Sequence, residues 1–223
     1  VSGNMIKNYL NSKSLSAING IEHYFGKRDF ILPNSEKAYF LNQLHSDKVI
    51  FISDDFDFNE QKDGDAIITC KRNLFIGVRT ADCVPILLSD ENSNFVAVVH
   101  AGWRGTFYNI VNKTIERILK EFNCNPEDII AALGPSIGAC CYEVSKPLWN
   151  KFNYEHILSS DDSNQIEEKY YLNLQSINRN FLKGSGVQQI DLLTKCTKCE
   201  DDFYSYRGDK SKKDSQISII KLN

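Results

Sequence analysis

The amino-acid sequence predicts an α+β fold. Short apolar runs bounded by turn residues recur along the chain, and clear helical periodicity is confined to a few segments. The strands also come in runs instead of alternating strictly with helices, which argues against a doubly wound sheet. The first forty or so residues are polar and show no clear period. Lys48 to Phe58 begins with the β-rich run Val49-Ile50-Phe51-Ile52 and then turns acidic. Ala66 to Thr69 and Leu74 to Val78 read as buried strands between the turn signals Asp63-Gly64-Asp65 and Lys71-Arg72-Asn73. Val84 to Leu88 and Phe95 to Val99 are separated by the polar run 89–94, so they are expected to pair as a hairpin.

One helix is unambiguous. Ile110, Val111, Ile115, Ile118, Leu119 and Phe122 share one face, and Lys113, Glu116, Arg117 and Lys120 share the other. Thr106 is the expected N-cap and Asn125-Pro126 the expected stop. Ile129 to Leu133 then reads as a strand, Leu174 to Leu182 as a helix closed by Gly184 and Gly186, and Val187 to Leu193 and Ile217 to Leu222 as further strands.

Composition narrows the class. At 223 residues, one domain with a large core is the simpler reading. A net charge of -3 argues against a protein that binds nucleic acid through a basic surface. No stretch approaches the roughly 20 apolar residues of a membrane span, and no signal segment opens the chain. Seven cysteines in such a chain suit a reducing compartment, where thiols serve metals or catalysis more often than staples. A cytoplasmic enzyme is the expectation.

The chemistry is expected around Phe95 to Thr106, FVAVVHAGWRGT. A strand reaches His100, and a turn with Gly102, Arg104 and Gly105 leads into the clear helix. Backbone N–H groups at a helix start attract anions, glycines allow close approach, and Arg104 suits phosphate or carboxylate as a bidentate clamp. A tight strand-to-helix turn with a surface arginine accounts for the same residues equally well. Cys83, in RTADCVP, and His45, in NQLHSDKV, also sit at strand ends. Two imidazoles and a thiolate are a good zinc set with a fourth position open to water, and their scatter along the chain resembles catalytic sites more than structural ones. A buried free cysteine and two hydrogen-bonded histidines are the competing account.

Other candidates are weaker. Cys196-Thr197-Lys198-Cys199 has CxxC spacing without a second close-spaced pair and reads as two unlinked thiols. Cys140-Cys141, Cys70 and Cys124 read as packing residues. His23 and His156, beside Glu22 and Glu155, read as solvated, and Asp161-Asp162 and Glu167-Glu168 as a polar loop. Arg207 in FYSYRGD is flanked by aromatics that would aim it at a pocket or merely pack it.

QLHSDKV, DGDAIIT, TADCVPILL, VVHAGWRGT, LGPSIGACCYEV and FYSYRGD, in this order, resemble the YfiH-like family, also called laccase-domain or polyphenol oxidase proteins and now regarded as purine nucleoside phosphorylases. The resemblance is strongest over 43–222. It implies a compact α/β/β/α sandwich, with His45, Cys83 and His100 as metal ligands and Arg104 and Arg207 as carried-over arginines. It implies phosphorolysis of adenosine, inosine and methylthioadenosine, and adenosine deamination. Two departures bear on substrate range. The region between His23-Tyr24-Phe25-Gly26 and Asn42-Gln43 is short, and Lys212-Lys213-Asp214 stands where the family's tail reads TGR.

The resulting expectation is a zinc-dependent purine nucleoside enzyme, with copper as the alternative ion. Cys83, His45, His100 and Arg104 are the expected catalytic residues. Arg104, Arg207, Asp82, Gly102 and Gly105 are expected to bind substrate or phosphate, with Asp82 a candidate acid for the departing purine. The partners are a purine nucleoside and phosphate. Two rivals stand beside it. A copper polyphenol oxidase would use the same donors, yet four histidines in all are too few for a trinuclear copper centre as well. A cysteine hydrolase, such as an amidase acting on peptidoglycan precursors, would use Cys83 as nucleophile and His100 as base.

Overall fold

The computed structural model describes residues 8–32, 38–209 and 214–223. Lys212 and Lys213 of the altered tail lie outside them. In chain order the elements are β1 Tyr9–Leu10, α1 Lys13–Ser16, β2 Ile21–Gly26, β3 Ala38–Phe40, β4 Val49–Ile52, β5 Ala66–Thr69, β6 Phe75–Thr80, β7 Val84–Asp90, β8 Val96–Ala101, α2 Trp103–Phe107 and α3 Ile110–Phe122. They continue with β9 Ile129–Leu133, β10 Glu143–Val144, α4 Lys146–His156, β11 Ser163–Ile166, β12 Lys169–Leu172, α5 Leu174–Gly184, β13 Gln189–Leu192 and β14 Gln216–Leu222. This is the mixed, layered architecture expected.

A six-stranded sheet, ordered β13-β9-β7-β8-β5-β4, packs face to face on a five-stranded sheet ordered β1-β2-β14-β6-β3. The central strands β5, β7, β8 and β9 are buried at every position. Their side chains alternate between two cores. Val84, Ile86 and Leu88 of β7 join Ile110, Ile115, Ile118 and Ile177 beneath the helices. Leu87 joins Val98, Ile76 and Ile220 between the sheets. Two covered faces explain why these strands read as unbroken apolar runs. The expected hairpin is present, with β7 antiparallel to β8 and Ile86 opposite Val99.

Three expectations are corrected. The long helix is capped by Asn109, in the left-handed region at φ 60°, whose side chain accepts from the Asn112 N–H. Thr106 lies inside the separate short helix α2, and its hydroxyl takes a hydrogen bond from Asn178 Nδ2 at 2.9 Å. The polar segment around Asp161 and Glu167 is a hairpin, β11 with β12, and Asp162 is buried, accepting from Ser159 and Asn180. His23 is likewise buried on β2, where Nε2 accepts the Ser12 N–H at 2.9 Å, and His156 meets the Phe107 carbonyl among three phenylalanines. His23 is thus shut off from solvent, and His156 is half-buried.

Topology gathers the candidate residues. β8 runs antiparallel to β5 and β7, so its C-terminal end lies beside their N-terminal ends. His100 near the end of β8, Cys83 just before β7, Asp65 just before β5 and His45 ahead of β4 therefore share one edge.

Candidate active site

His45, Cys83 and His100 meet at that edge, with one ligand atom from each lying within 4.8 Å of the others. Donors around one tetrahedral zinc sit about 3.3–3.8 Å apart, so small side-chain rotations would close this set on a single divalent ion. Each member is placed by a local device. The His45 backbone is left-handed at φ 56°, which turns the N–H groups of Leu44, His45 and Ser46 onto the Asp65 carboxylate at 3.3, 3.0 and 2.6 Å. The Ser46 hydroxyl adds a fourth donor at 2.6 Å. Asp65 Oδ1 also holds His100 Nδ1 at 2.8 Å, leaving Nε2 as the ring's remaining donor atom. Gly102 closes the third side, since a Cβ there would stand 3.0 Å from Cys83 Sγ and 3.1 Å from His45 Cδ2.

The charges are mutually arranged. Burial pushes the Cys83 thiol up, but His100 and then His45 overcome it and draw its pKa down to about 6. Burial works against a charged His100, yet the Cys83 thiolate and Asp65 raise it to about 9. Burial also opposes the Asp65 charge, and its bonds to His100 and Ser46 outweigh that and keep it below the usual carboxylate range. Cys83, His100 and Asp65 thus each favour the charged form of the next.

These residues open into a cavity of about 500 Å³, lined also by Gln43, Arg79, Trp103, Arg104, Tyr142 and Arg207. That size suits a small organic ligand. Arg104 is exposed and stacks on Trp103, with its guanidinium carbon 4.4 Å from the ring centre. Arg207 stacks on Tyr142 at 5.2 Å and donates from Nη1 to the Glu143 carbonyl at 2.8 Å. Burial, with the Cys83 charge next, raises the Tyr142 phenol far above its ordinary range, so it is a neutral donor. Asp82, in a left-handed conformation at φ 95°, lines the cavity but has both carboxylate oxygens engaged. Oδ1 accepts from the Thr197 hydroxyl at 2.8 Å and Oδ2 from the Arg207 N–H at 2.7 Å. Asp82 thus positions the Arg207 segment. Gly105 faces the Ser46 carbonyl, 3.1 Å from where its Cβ would be. Asp214 of the altered tail lines the cavity as well.

Asp65, Gln43, Arg79 and Tyr142 were not singled out from the sequence. Asp65 read as part of a turn. The Gln43 amide pairs with the Arg79 backbone at 2.8 and 2.9 Å, two residues before His45, a partnership that spacing alone does not reveal.

A layered α+β sandwich whose sheet edge presents two histidines and a cysteine to an arginine-rimmed cavity defines a class of candidate metalloenzyme. Residues 27–223 match the family described as multi-copper polyphenol oxidoreductase laccase, and the chain belongs to this family, to which the YfiH-like proteins belong. It is 36% identical over 189 residues, 84% of this chain and 78% of the relative, to a purine nucleoside phosphorylase of Clostridium acetobutylicum. It is 36% identical over 177 residues, 74% of this chain and 67% of the relative, to adenosine deaminase RL5 of an unknown prokaryotic organism. A crystal structure of a Neisseria meningitidis protein superposes with a TM-score of 0.85 at 25% identity, covering 97% of this chain and all of that one. No helix among the described residues is long and apolar enough to cross a membrane.

Proposed function

We propose that the protein is a zinc-dependent purine nucleoside enzyme that phosphorolyses adenosine, inosine and methylthioadenosine and deaminates adenosine. The convergence of His45, Cys83 and His100 on a cavity rimmed by Arg79, Arg104 and Arg207 carries this reading. The relatives' names supply the substrate class. His45, Cys83 and His100 would hold the ion, which supplies an electrophile and water activation at the mouth of the cavity.

The chain's own groups account for the rest. Trp103, Tyr142, Ile137 and Leu174 offer faces for a flat purine and the body of a ribose. Arg104 and Arg207 suit phosphate as bidentate clamps, and Arg207 is held ready by Tyr142, the Glu143 carbonyl and the Asp82 carboxylate. In phosphorolysis a phosphate oxygen bonds to C1′, the C1′–N9 bond breaks, and the purine leaves with the electron pair and takes up a proton. In deamination a water oxygen bonds to C6 and ammonia departs. Cavity and arginines serve the first reaction, and the second needs no anion site. Asp65 fixes the His100 ring and the His45 turn together.

The remaining histidines work against a multicopper oxidase. His23 and His156 are engaged with Ser12 and Phe107, so no further histidine is free to build a trinuclear centre. The depressed Cys83 thiol favours a second reading, a cysteine hydrolase with His100 as the acid–base partner. Incubation with adenosine, with and without phosphate, separates the readings. The proposal expects adenine with ribose 1-phosphate when phosphate is present and inosine when it is not. Neither product from metal-loaded protein would overturn it.

A further inference from the structure

Four of the seven cysteines lie outside the cluster of His45, Cys83 and His100 yet meet each other. Cys140 and Cys141 sit in the turn after β9, and Cys196 and Cys199 in the loop after β13. The expectation of unlinked thiols and packing residues is corrected here, because all four sulfurs lie within 4.8 Å of one another. Topology brings them together. β13 runs parallel to β9, so both chains leave the sheet at the same end. There the Ser136 N–H donates to the Lys195 carbonyl at 3.2 Å and the Thr197 N–H to the Ser136 carbonyl at 3.1 Å.

We propose that Cys140, Cys141, Cys196 and Cys199 form a second metal centre, a closed tetrathiolate zinc site that staples together the two loops walling the cavity. Zinc–sulfur bonds of about 2.3 Å set the edges of a sulfur tetrahedron at about 3.8 Å. Cys199 Sγ lies 3.6 Å from Cys140 Sγ and 3.4 Å from Cys141 Sγ, near that edge and far outside the roughly 2 Å of a disulfide. The Gly138 N–H points at Cys196 Sγ at 3.3 Å, a donor suited to a thiolate ligand. Four cysteine donors are the closed set of structural zinc, in contrast to the three-donor cluster facing the cavity.

The position gives the staple its purpose. Ile137 and Tyr142, on either side of the first cysteine pair, line the cavity, as do Tyr206 and Arg207 beyond the second. Thr197, between Cys196 and Cys199, donates to Asp82, the residue beside Cys83. An ion here would fix both walls and Arg207 relative to the catalytic edge without touching substrate.

The test removes the other site first. His45→Ala/Cys83→Ala protein, purified under reducing conditions, is expected to keep one zinc per chain. After exchange with cobalt alone it should show the strong sulfur-to-cobalt charge-transfer bands of a tetrathiolate, and chelation should lower its melting temperature. Cys196→Ser/Cys199→Ser protein should lose that equivalent while still binding one zinc at the cavity. If the serine variant does not fold, the first variant decides alone. Metal-free His45→Ala/Cys83→Ala protein whose four thiols titrate as free, or as paired disulfides, would overturn the proposal.

Discussion

Replacing Asp65 with asparagine removes one charge and almost no volume, from a residue that does not itself line the cavity. The carboxylate accepts five hydrogen bonds: Oδ1 from His45 N–H and His100 Nδ1, and Oδ2 from Leu44 N–H, Ser46 N–H and the Ser46 hydroxyl. An amide has one accepting oxygen. If that oxygen faces Ser46, the NH₂ group faces the His45 N–H and presses His100 into the tautomer with its proton on Nε2, which blocks the donor atom aimed at the ion. If it faces His100, the Ser46 and Leu44 N–H groups meet an NH₂ group. Either way at least one buried donor loses its partner, at about 1–3 kcal/mol. Groups that orient a metal-bound histidine typically contribute about 10–100-fold in metal affinity. Asp65→Asn should therefore weaken zinc binding by about 10–100-fold, or about 1.4–2.8 kcal/mol. Competition with a chromophoric chelator reads the affinity, and circular dichroism checks the fold. An affinity within twofold of the unaltered protein, in a folded variant, would refute the account of how His45 and His100 are held.

Further outcomes follow from the same geometry. Gly102→Ala should reduce metal binding, because the new methyl meets Cys83 Sγ and His45 at about 3 Å, and a zinc titration checks it. Arg104→Lys should weaken the phosphate dependence of phosphorolysis while leaving deamination and metal content unchanged, because a point charge replaces a bidentate fork; equal losses in both reactions would assign Arg104 to the nucleoside or the loop instead. His23 should make folding sensitive to mild acid. Burial lowers its pKa from 6.5 to about 4, so below pH 6.5 the unfolded chain takes up a proton that the folded chain refuses. That stability is complete above pH 6.5 and falls away towards pH 4 by up to about 3 kcal/mol. Urea midpoints for the unaltered protein and His23→Gln across this range should converge as the pH falls.

The legible parts of this molecule were local ones. β5, β7, β8 and β9 announce themselves because both faces are covered and their positions are apolar but for Thr69, Ser89, Asp90 and His100 near the strand ends. α3 does so because only one face is. His45, Cys83 and His100 stood out because two imidazoles and a thiol at strand ends are chemically unusual. What escaped was held by distance in sequence or by polarity. β11 reads Ser163-Asn164-Gln165-Ile166, a polar and largely exposed hairpin strand without the alternation that marks a half-buried one. Thr106 is the expected cap of α3, but Asn109, three residues later, caps it from a left-handed conformation that Asn tolerates and helical spacing does not reveal. Asp65 reaches His100 across 35 residues, and Cys141 reaches Cys199 across 58. A spacing rule built on neighbouring pairs finds neither.

The central claim is that His45, Cys83 and His100 hold the ion on which nucleoside turnover depends. Its most direct test is turnover of adenosine against zinc content at this site, in the unaltered protein and in Cys83→Ala. The account predicts activity that rises in proportion to the zinc restored to stripped protein, and a folded Cys83→Ala variant that loses both the ion and the products. Full turnover by metal-depleted Cys83→Ala protein would contradict it.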